Sequence, residues 1–249
     1  DQPEFARHKV AHLLGNAIGI ACGRFLPGEP PQVGHRRLAG RREFFGLEFR
    51  VDARVLIPRP DTETLVEAAL ERTRSRDMFG NALDLCTGSG CVAIAFAKQR
   101  PTWRVTATDL SEAALALAFE NAQRLGAIFG MHFAAGDLFD AIAADQRFDL
   151  ITANPPYVSG AEVAKLDKSI RDFEPKLALS SGEDGLDLIR RIVADAGPRL
   201  APSGVLALEV QYDQADRVAE LFAAAGFVDL DKRRDLGGHE RVVSGVRPG

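Results

Sequence analysis

The sequence predicts an α/β fold: a mostly parallel seven-stranded sheet with an antiparallel C-terminal strand, preceded by a short helical segment and a β-hairpin. Three observations predict it. Beyond Asn81, apolar strand patterns alternate with helical ones. A glycine-rich turn, CTGSG (86–90), joins the first strand of that series to its first helix. The last two strands are separated only by DLGGH (235–239), too short for a crossover helix, so that pair is antiparallel.

Residues 4–25 carry a weak helical period, and 27–42 are rich in Pro, Gly and Arg and read as a linker, which divides the chain into 1–42 and 43–249. FFGLEFRVD (44–52) alternates around a central Gly and reads as a hairpin. VLIPRP (55–60) is extended, because each residue before a proline is pushed away from the helical region. Asp61 reads as an N-cap for the helix TETLVEAALERTR (62–74).

Strands are predicted at 82–88, 104–109, 131–137, 148–154, 204–210, 227–233 and 240–247. Helices fall at 91–99, 111–126, about 185–200 and 214–225. Ser111 caps the second of these and Gly126 closes it.

The bulk properties exclude several functions. A net charge of −4 gives no electrostatic footprint for nucleic acid. No apolar run reaches the length of a membrane span and no signal-peptide pattern opens the chain, so a cytoplasmic protein is expected. Cys22, Cys86 and Cys91 lack a CxxC spacing, which argues against a disulfide framework or a zinc site. His8 and His12 read as part of a solvated helix, and no metal is expected.

DLCTGSGCVA (84–93) follows a strand and opens a helix. Gly88 and Gly90 let the backbone approach a ligand, and Ala93 can lie flat on the sheet. The helix N-terminus offers free N–H donors. Asp109 ends the next strand, where its carboxylate can accept both hydroxyls of a ribose. This points to a nucleoside-containing cofactor. The G-x-G-x-x-A spacing alone fits a dinucleotide enzyme as well as a methyltransferase. Asp137, in the GD at 136–137, either approaches an adenine amino group or marks a turn.

NPPY (154–157) stands where the strand FDLITAN stops, at the ligand edge of an open α/β sheet. Asn154 and Pro155 precede prolines and stay extended, and the two prolines offer carbonyls without N–H groups. The Asn154 side-chain oxygen and the Pro155 carbonyl are thus two stiff acceptors side by side, suited to the two N–H donors of a planar amide or exocyclic amine. Tyr157 can stack on its face. Such a nitrogen is a poor nucleophile. Two acceptors drawing on its hydrogens raise its electron density and aim it at an electrophile such as a sulfonium methyl. Orientation of this kind is worth up to roughly 7–11 kcal/mol.

The chain resembles the HemK-type protein-(glutamine-N5) methyltransferases, the family that methylates the Gln of the GGQ motif in peptide-chain release factors. The resemblance runs from about Arg41 to Arg247 and rests on EFFGLEFRVDARVLIPRPDTETLVE (43–67), DLCTGSG (84–90), TDLS (108–111), GDLF (136–139), NPPY, FEPKLALSSGEDGL (173–186) and the terminal ERVVSGVR. It implies a Rossmann-like class I methyltransferase fold and S-adenosyl-L-methionine as cofactor. It implies that Asp84, Thr87, Gly88, Ser89, Gly90, Asp109, Leu110, Asp137, Leu138 and Asn154 hold that cofactor. Asn154, Pro155 and Tyr157 become the catalytic set. Asn154, Pro155, Pro156, Tyr157, Arg59, Glu63 and Glu174 contact the substrate. The expected partner is a protein, a release factor or, by analogy with sister enzymes, ribosomal protein uL3, with no direct nucleic acid and no membrane. Gln211 stands where the family usually has Gly. The competing readings are adenine N6-methylation, which uses the same NPPY chemistry, a nicotinamide-dependent oxidoreductase, and a methyltransferase-like binding module without turnover.

Overall fold

A computed structural model of the chain describes residues 40–76, 78–163, 175 and 181–249. The readings of the N-terminal helical segment, of His8, His12 and Cys22, and of Glu174 lie outside the described residues.

The hairpin pairs β1 (Arg41–Phe44) with β2 (Leu47–Arg50), and its first strand starts three residues before the expected one. Phe45 (φ 51°) and Gly46 (φ 71°) form a two-residue loop with both φ positive, which suits the twist of a hairpin. Phe45 is an uncommon residue for that conformation. Its N–H is held by Glu63 Oε1 at 2.9 Å. Phe44 and Phe49 are buried and meet edge to face at 6.0 Å, which docks the hairpin on the main domain.

Asp61 is not the helix cap that the sequence suggests. Pro60–Thr62 form a 3-10 turn and α1 (Glu63–Arg72) begins after it. Pro60 starts the turn and Thr62 stands at the cap without a side-chain capping bond, while the Asp61 carboxylate lies 3.7 Å from Arg241.

The main sheet contains β3 (Asn81–Leu85), β4 (Arg104–Asp109), β5 (Met131–Ala135), β6 (Phe148–Ala153), β7 (Leu200–Glu209), β8 (Val228–Arg234) and β9 (Glu240–Val246). Their spatial order is β5-β4-β3-β6-β7-β9-β8. The first five are mutually parallel, and β9 runs antiparallel between β7 and β8. The order reverses at β3, which has β4 on one side and β6 on the other, so a crevice opens at the carboxyl ends of these strands.

The helices are α2 (Cys91–Gln99), α3 (Glu112–Arg124), a short α4 (Gly160–Val163), α5 (Asp187–Arg199) and α6 (Ala215–Ala224). The Ser111 hydroxyl caps α3 by accepting from Ala114 N at 3.2 Å, and Gly126 (φ 69°) ends it as expected. Strand β3 stops at Leu85, short of the expected end, because Cys86 and Gly88 both turn to φ 55°. Strand β7 starts four residues early, at Leu200, where it pairs with Phe148.

Buried aliphatic side chains of β3, β6 and β7 pack against α5 and α6, and the other face of the sheet receives α1 and α2. Among the described residues no helix is long and apolar enough to cross a membrane, and no cluster of His, Cys, Asp and Glu could hold a metal ion.

Candidate active site

The crevice of about 170 Å³ at the strand ends is lined by the glycine loop, by the β4–α3 and β5 turns, by the segment Arg54–Arg59 and by Asn154 and Pro156. Backbone hydrogen bonds tie the glycine loop to β4 and to itself. Thr87 N donates to Thr108 O at 3.0 Å and Gly90 N to Thr87 O at 2.8 Å. Gly90 has φ 79°, and a Cβ there would lie 2.9 Å from Ile94 Cδ1, so only glycine lets the loop enter α2. At Gly88 a Cβ would meet nothing closer than Cys86 O at 4.0 Å, so the space above the loop is open to a ligand.

Asp109 and the glycine loop are joined. Gly88 N donates to Asp109 Oδ2 and Ser111 N to Asp109 Oδ1, each at 2.9 Å. The carboxylate keeps acceptor capacity for a hydroxyl group beyond these donors. Burial raises its pKa while the backbone donors from Ser111 and Gly88 pull it down.

Asp84 is buried and engaged from within. It accepts from Thr87 Oγ1 at 2.6 Å and from Thr152 Oγ1 at 2.7 Å, which ties β3, the loop and β6 together. Burial lifts its pKa to about 6 despite these bonds. The Cys86 thiol is pushed up by burial, and that of Cys91 up to about 12, so neither is a thiolate nucleophile at neutral pH.

Asn154 sits directly after β6. Its Nδ2 donates to Thr62 Oγ1 at 3.2 Å, which engages the amide's donor end and leaves Oδ1 as its acceptor. Tyr157 Oη donates to Glu209 Oε1 at 3.3 Å. Glu209 is only 1% exposed, and burial lifts its pKa to about 7, with Thr62, Arg241 and Tyr157 pulling the other way. The Tyr157 phenol is raised well beyond its ordinary range by burial and by the Glu209 charge.

The crevice gathers most of the residues singled out in the sequence. Arg59, Asp84, Thr87, Gly88, Ser89, Asp109, Leu110, Asp137, Leu138, Asn154 and Pro156 all line it, and Gly90 shapes the loop beneath. Asp137 does so while paired with Arg191 at 2.8 Å, at the start of the 3-10 turn Leu138–Ala141. Glu63 is not among the lining residues, and its carboxylate is turned to the hairpin at Phe45. Pro155 is buried, and Tyr157 lies behind the crevice with its hydroxyl on Glu209 and its carbonyl accepting from Gln214 Nε2 at 3.0 Å. Gln211 is anchored by its backbone N on Gln214 Oε1 at 3.1 Å and by its Nε2 on Glu162 Oε1 at 3.2 Å.

The family described as Methyltransferase small domain matches residues 61–171. A protein of Bordetella pertussis named release factor glutamine methyltransferase is 46% identical over 96% of this chain and 93% of its own length. A protein of Burkholderia pseudomallei with the same name is 44% identical over 100% of this chain and 85% of its own. The chain belongs to the release factor glutamine methyltransferases.

Solved structures agree with this at the level of fold. A methyltransferase from Pyrococcus furiosus superposes with a TM-score of 0.60 at 16% identity, over 98% of this chain and 100% of that one. The catalytic domain of hMettl16 reaches 0.68 at 16% identity, over 100% of this chain and 93% of that one.

In this release factor glutamine methyltransferase, three residues of the site escaped the sequence reading. Glu209 carried a signal, a lone acid inside the apolar strand GVLALEV at the strand's carboxyl end. Thr62 looked like an ordinary first-turn residue. Asn121 is fully buried in α3, where its Oδ1 accepts from Arg50 N at 2.8 Å and its Nδ2 donates at 3.0 Å to Arg50 O and to Ser89 O. It thereby fastens the hairpin to the glycine loop, a contact with no trace in local sequence.

Proposed function

We propose that this methyltransferase moves a methyl group from S-adenosyl-L-methionine to the side-chain amide nitrogen of a protein glutamine, the GGQ glutamine of a peptide-chain release factor. The observation that carries the reading is Asn154, held by its own NH2 on Thr62 and so keeping its oxygen as an acceptor beside a glycine-loop crevice. The names of the curated relatives support the choice of glutamine and of release factor.

The crevice suits the cofactor. Asp109 has acceptor capacity to spare for ribose hydroxyls, and the open space over Gly88 admits close backbone approach. In this reading Asp84, Thr87, Ser89 and Gly90 shape the loop, and Leu110, Leu138 and Asp137 wall the base. S-adenosyl-L-methionine supplies an electrophilic methyl carbon on a sulfonium sulfur.

The chain's own residues then orient the acceptor. Asn154 Oδ1 and the Pro155 carbonyl accept the two N–H groups of the glutamine amide, and Pro156, with Arg59 above it, limits how that amide can lie. The nitrogen would take the methyl group as the carbon–sulfur bond breaks, and its extra proton would then leave to solvent. No strong base is needed in this reading. In this reading the residues from the hairpin strand Arg41–Phe44 onward carry this chemistry as one methyltransferase domain. We place the protein in the cytoplasm, where release factors act.

Incubation of the enzyme and cofactor with a release factor, with uL3 and with a DNA oligonucleotide, followed by mass spectrometry, tests the reading. A methyl group on the release factor is expected. Methylation of the oligonucleotide with both proteins untouched overturns it.

A further inference from the structure

We infer that Gln214 is a positioning residue for the methyl transfer: with Gly185 it pins the Tyr157 carbonyl, and so fixes the turn that carries the acceptors Asn154 and Pro155. The inference rests on the glutamine-methylating reading above and extends it to two residues that do not line the crevice.

The turn needs an outside anchor. Strand β6 ends at Ala153, which is registered against Leu85 and Leu208, so the sheet fixes where the segment starts. Pro155 and Pro156 have no N–H and cannot donate a bond that would hold the next residues. Their rings fix φ, so the stretch is stiff. Tied only at β6, a stiff segment swings as a unit. Tied at both ends, it has one course, and the Pro155 carbonyl has one direction. Tyr157 is the far end. Its carbonyl accepts from Gln214 Nε2 at 3.0 Å. The bond from its hydroxyl to Glu209 holds the ring, whereas the bond at the carbonyl holds the backbone. The next carbonyl, Val158 O, accepts from Ser181 N at 3.1 Å, so the loop that carries Gly185 flanks the turn.

Two independent observations single out the Gln214 contact. Gly185 has φ 77°, and a Cβ on it would collide with Tyr157 O and lie 2.8 Å from Gln214 Nε2. The missing side chain is the room in which the bond is made. Gln214 itself is only 5% exposed, and both ends of its amide are used. Its Oε1 accepts from Gln211 N at 3.1 Å while its Nε2 reaches Tyr157. Closing the turn before α6 asks only for an acceptor, and there glutamate serves as well as glutamine. The NH2 end has no part in that closure. It is the end that requires glutamine, and it is the end that meets the NPPY segment.

Steady-state kinetics of Gln214→Glu on a release factor, beside thermal unfolding, tests the inference. The variant keeps the length and the acceptor for Gln211 N, and loses only the donor to the Tyr157 carbonyl. A fall in kcat of roughly 10²-fold is expected, the scale for a reacting group displaced by about 1 Å, with KM for the release factor and cofactor affinity by calorimetry unmoved. Gln214→Met, uncharged and of similar volume, loses both bonds and should fall by as much, because only the donor bears on turnover. Gly185→Ala should lose kcat in the same way. Its combination with Gln214→Glu should be no worse than the poorer single variant, since both displace one carbonyl. Wild-type kcat in Gln214→Glu overturns the inference, as do losses that multiply in the double variant. A lowered thermal midpoint with kcat intact below it, and Met worse than Glu, assigns Gln214 to structure alone and overturns it too. Where Gln214→Glu or Gly185→Ala does not fold, Gln214→Met decides by the same split between kcat and thermal midpoint. Wild-type enzyme that leaves the release factor unmethylated refutes the underlying reading, and the inference with it, so the two failures are distinguishable.

Discussion

The Gly88 backbone N–H donates to Asp109 Oδ2 at 2.9 Å, so the glycine loop and the acid at the end of the neighbouring strand form one hydrogen-bonded unit. The acid that would bind ribose is thereby also a support of the loop that would approach the rest of the cofactor. Loss of Asp109 should act on both.

Asp109→Ala is expected to weaken S-adenosyl-L-methionine binding by roughly 1.5–3 kcal/mol, the scale for one charged hydrogen-bond acceptor. Asp109→Asn should lose less, because its oxygen can still accept from Gly88. Titration calorimetry measures both. Unchanged affinity in the Ala variant would remove Asp109 from the cofactor site.

Asn154→Ala should separate binding from turnover. Asn154 bonds Thr62, whereas Asp109 bonds Gly88 and Ser111, so cofactor affinity should hold. The rate of methyl transfer should fall by roughly 10²–10³. A variant that methylates at the parent rate shows that the amide is not oriented by this residue.

Stability should depend on pH through the buried acids. Asp84 rises from 3.8 to about 6 and Glu209 from 4.5 to about 7 on folding, both because burial disfavours the charge. A folded-state pKa above the unfolded one means that the native state binds the proton more tightly. The associated stability is therefore complete below about pH 4 and is lost as pH rises through about 7. Urea unfolding of the parent and of Glu209→Gln across this range isolates one acid. The parent should lose stability relative to the variant between pH 4.5 and pH 7. Parallel curves would contradict a strongly buried carboxylate.

Gly90→Ala is expected to destabilise the protein by about 1–3 kcal/mol, from overpacking against Ile94 and Ala118 and from a positive φ that alanine resists. Chemical denaturation reads this directly. A neutral result would show that the loop can move away from α2 without cost.

The sheet was legible because its signals are local and repeated. CVAIAFAKQ is apolar from Cys91 to Ala97 and became a helix with those seven residues buried, and RVTATD became β4 with the limits expected. The hairpin was legible in FFGLEF, although the first strand reaches back to Arg41, inside a stretch whose composition reads as linker. Asp61 misled because a proline before an acid resembles a helix start, whereas here it starts a separate turn. In the candidate site, the loop, Asp109 and NPPY announced themselves by spacing. What stayed hidden were side chains that act on other side chains. Thr62 meets Asn154 across 92 positions, and Asn121 reaches Arg50 across 71. Pairings at that separation depend on how the layers stack, and no local pattern encodes them. Tyr157 shows the same limit in reverse. Its aromatic ring suggested stacking on the substrate, yet its hydroxyl is engaged by Glu209 in a buried network that only the fold assembles.

The central claim is that Asn154 and Pro155 read a glutamine amide at the mouth of the cofactor crevice. Fragmentation mass spectrometry of a GGQ-loop peptide after incubation with enzyme and S-adenosyl-L-methionine tests it most directly, beside peptides carrying Glu or Asn in place of the Gln. The account predicts one methyl group on the glutamine side-chain nitrogen, more slowly than in the intact factor. It predicts none on the Glu peptide, whose carboxylate meets two acceptors, and none on the Asn peptide, whose nitrogen falls one methylene short. Equal methylation of the Gln and Asn peptides, or a methyl group on any atom other than that nitrogen, would contradict it.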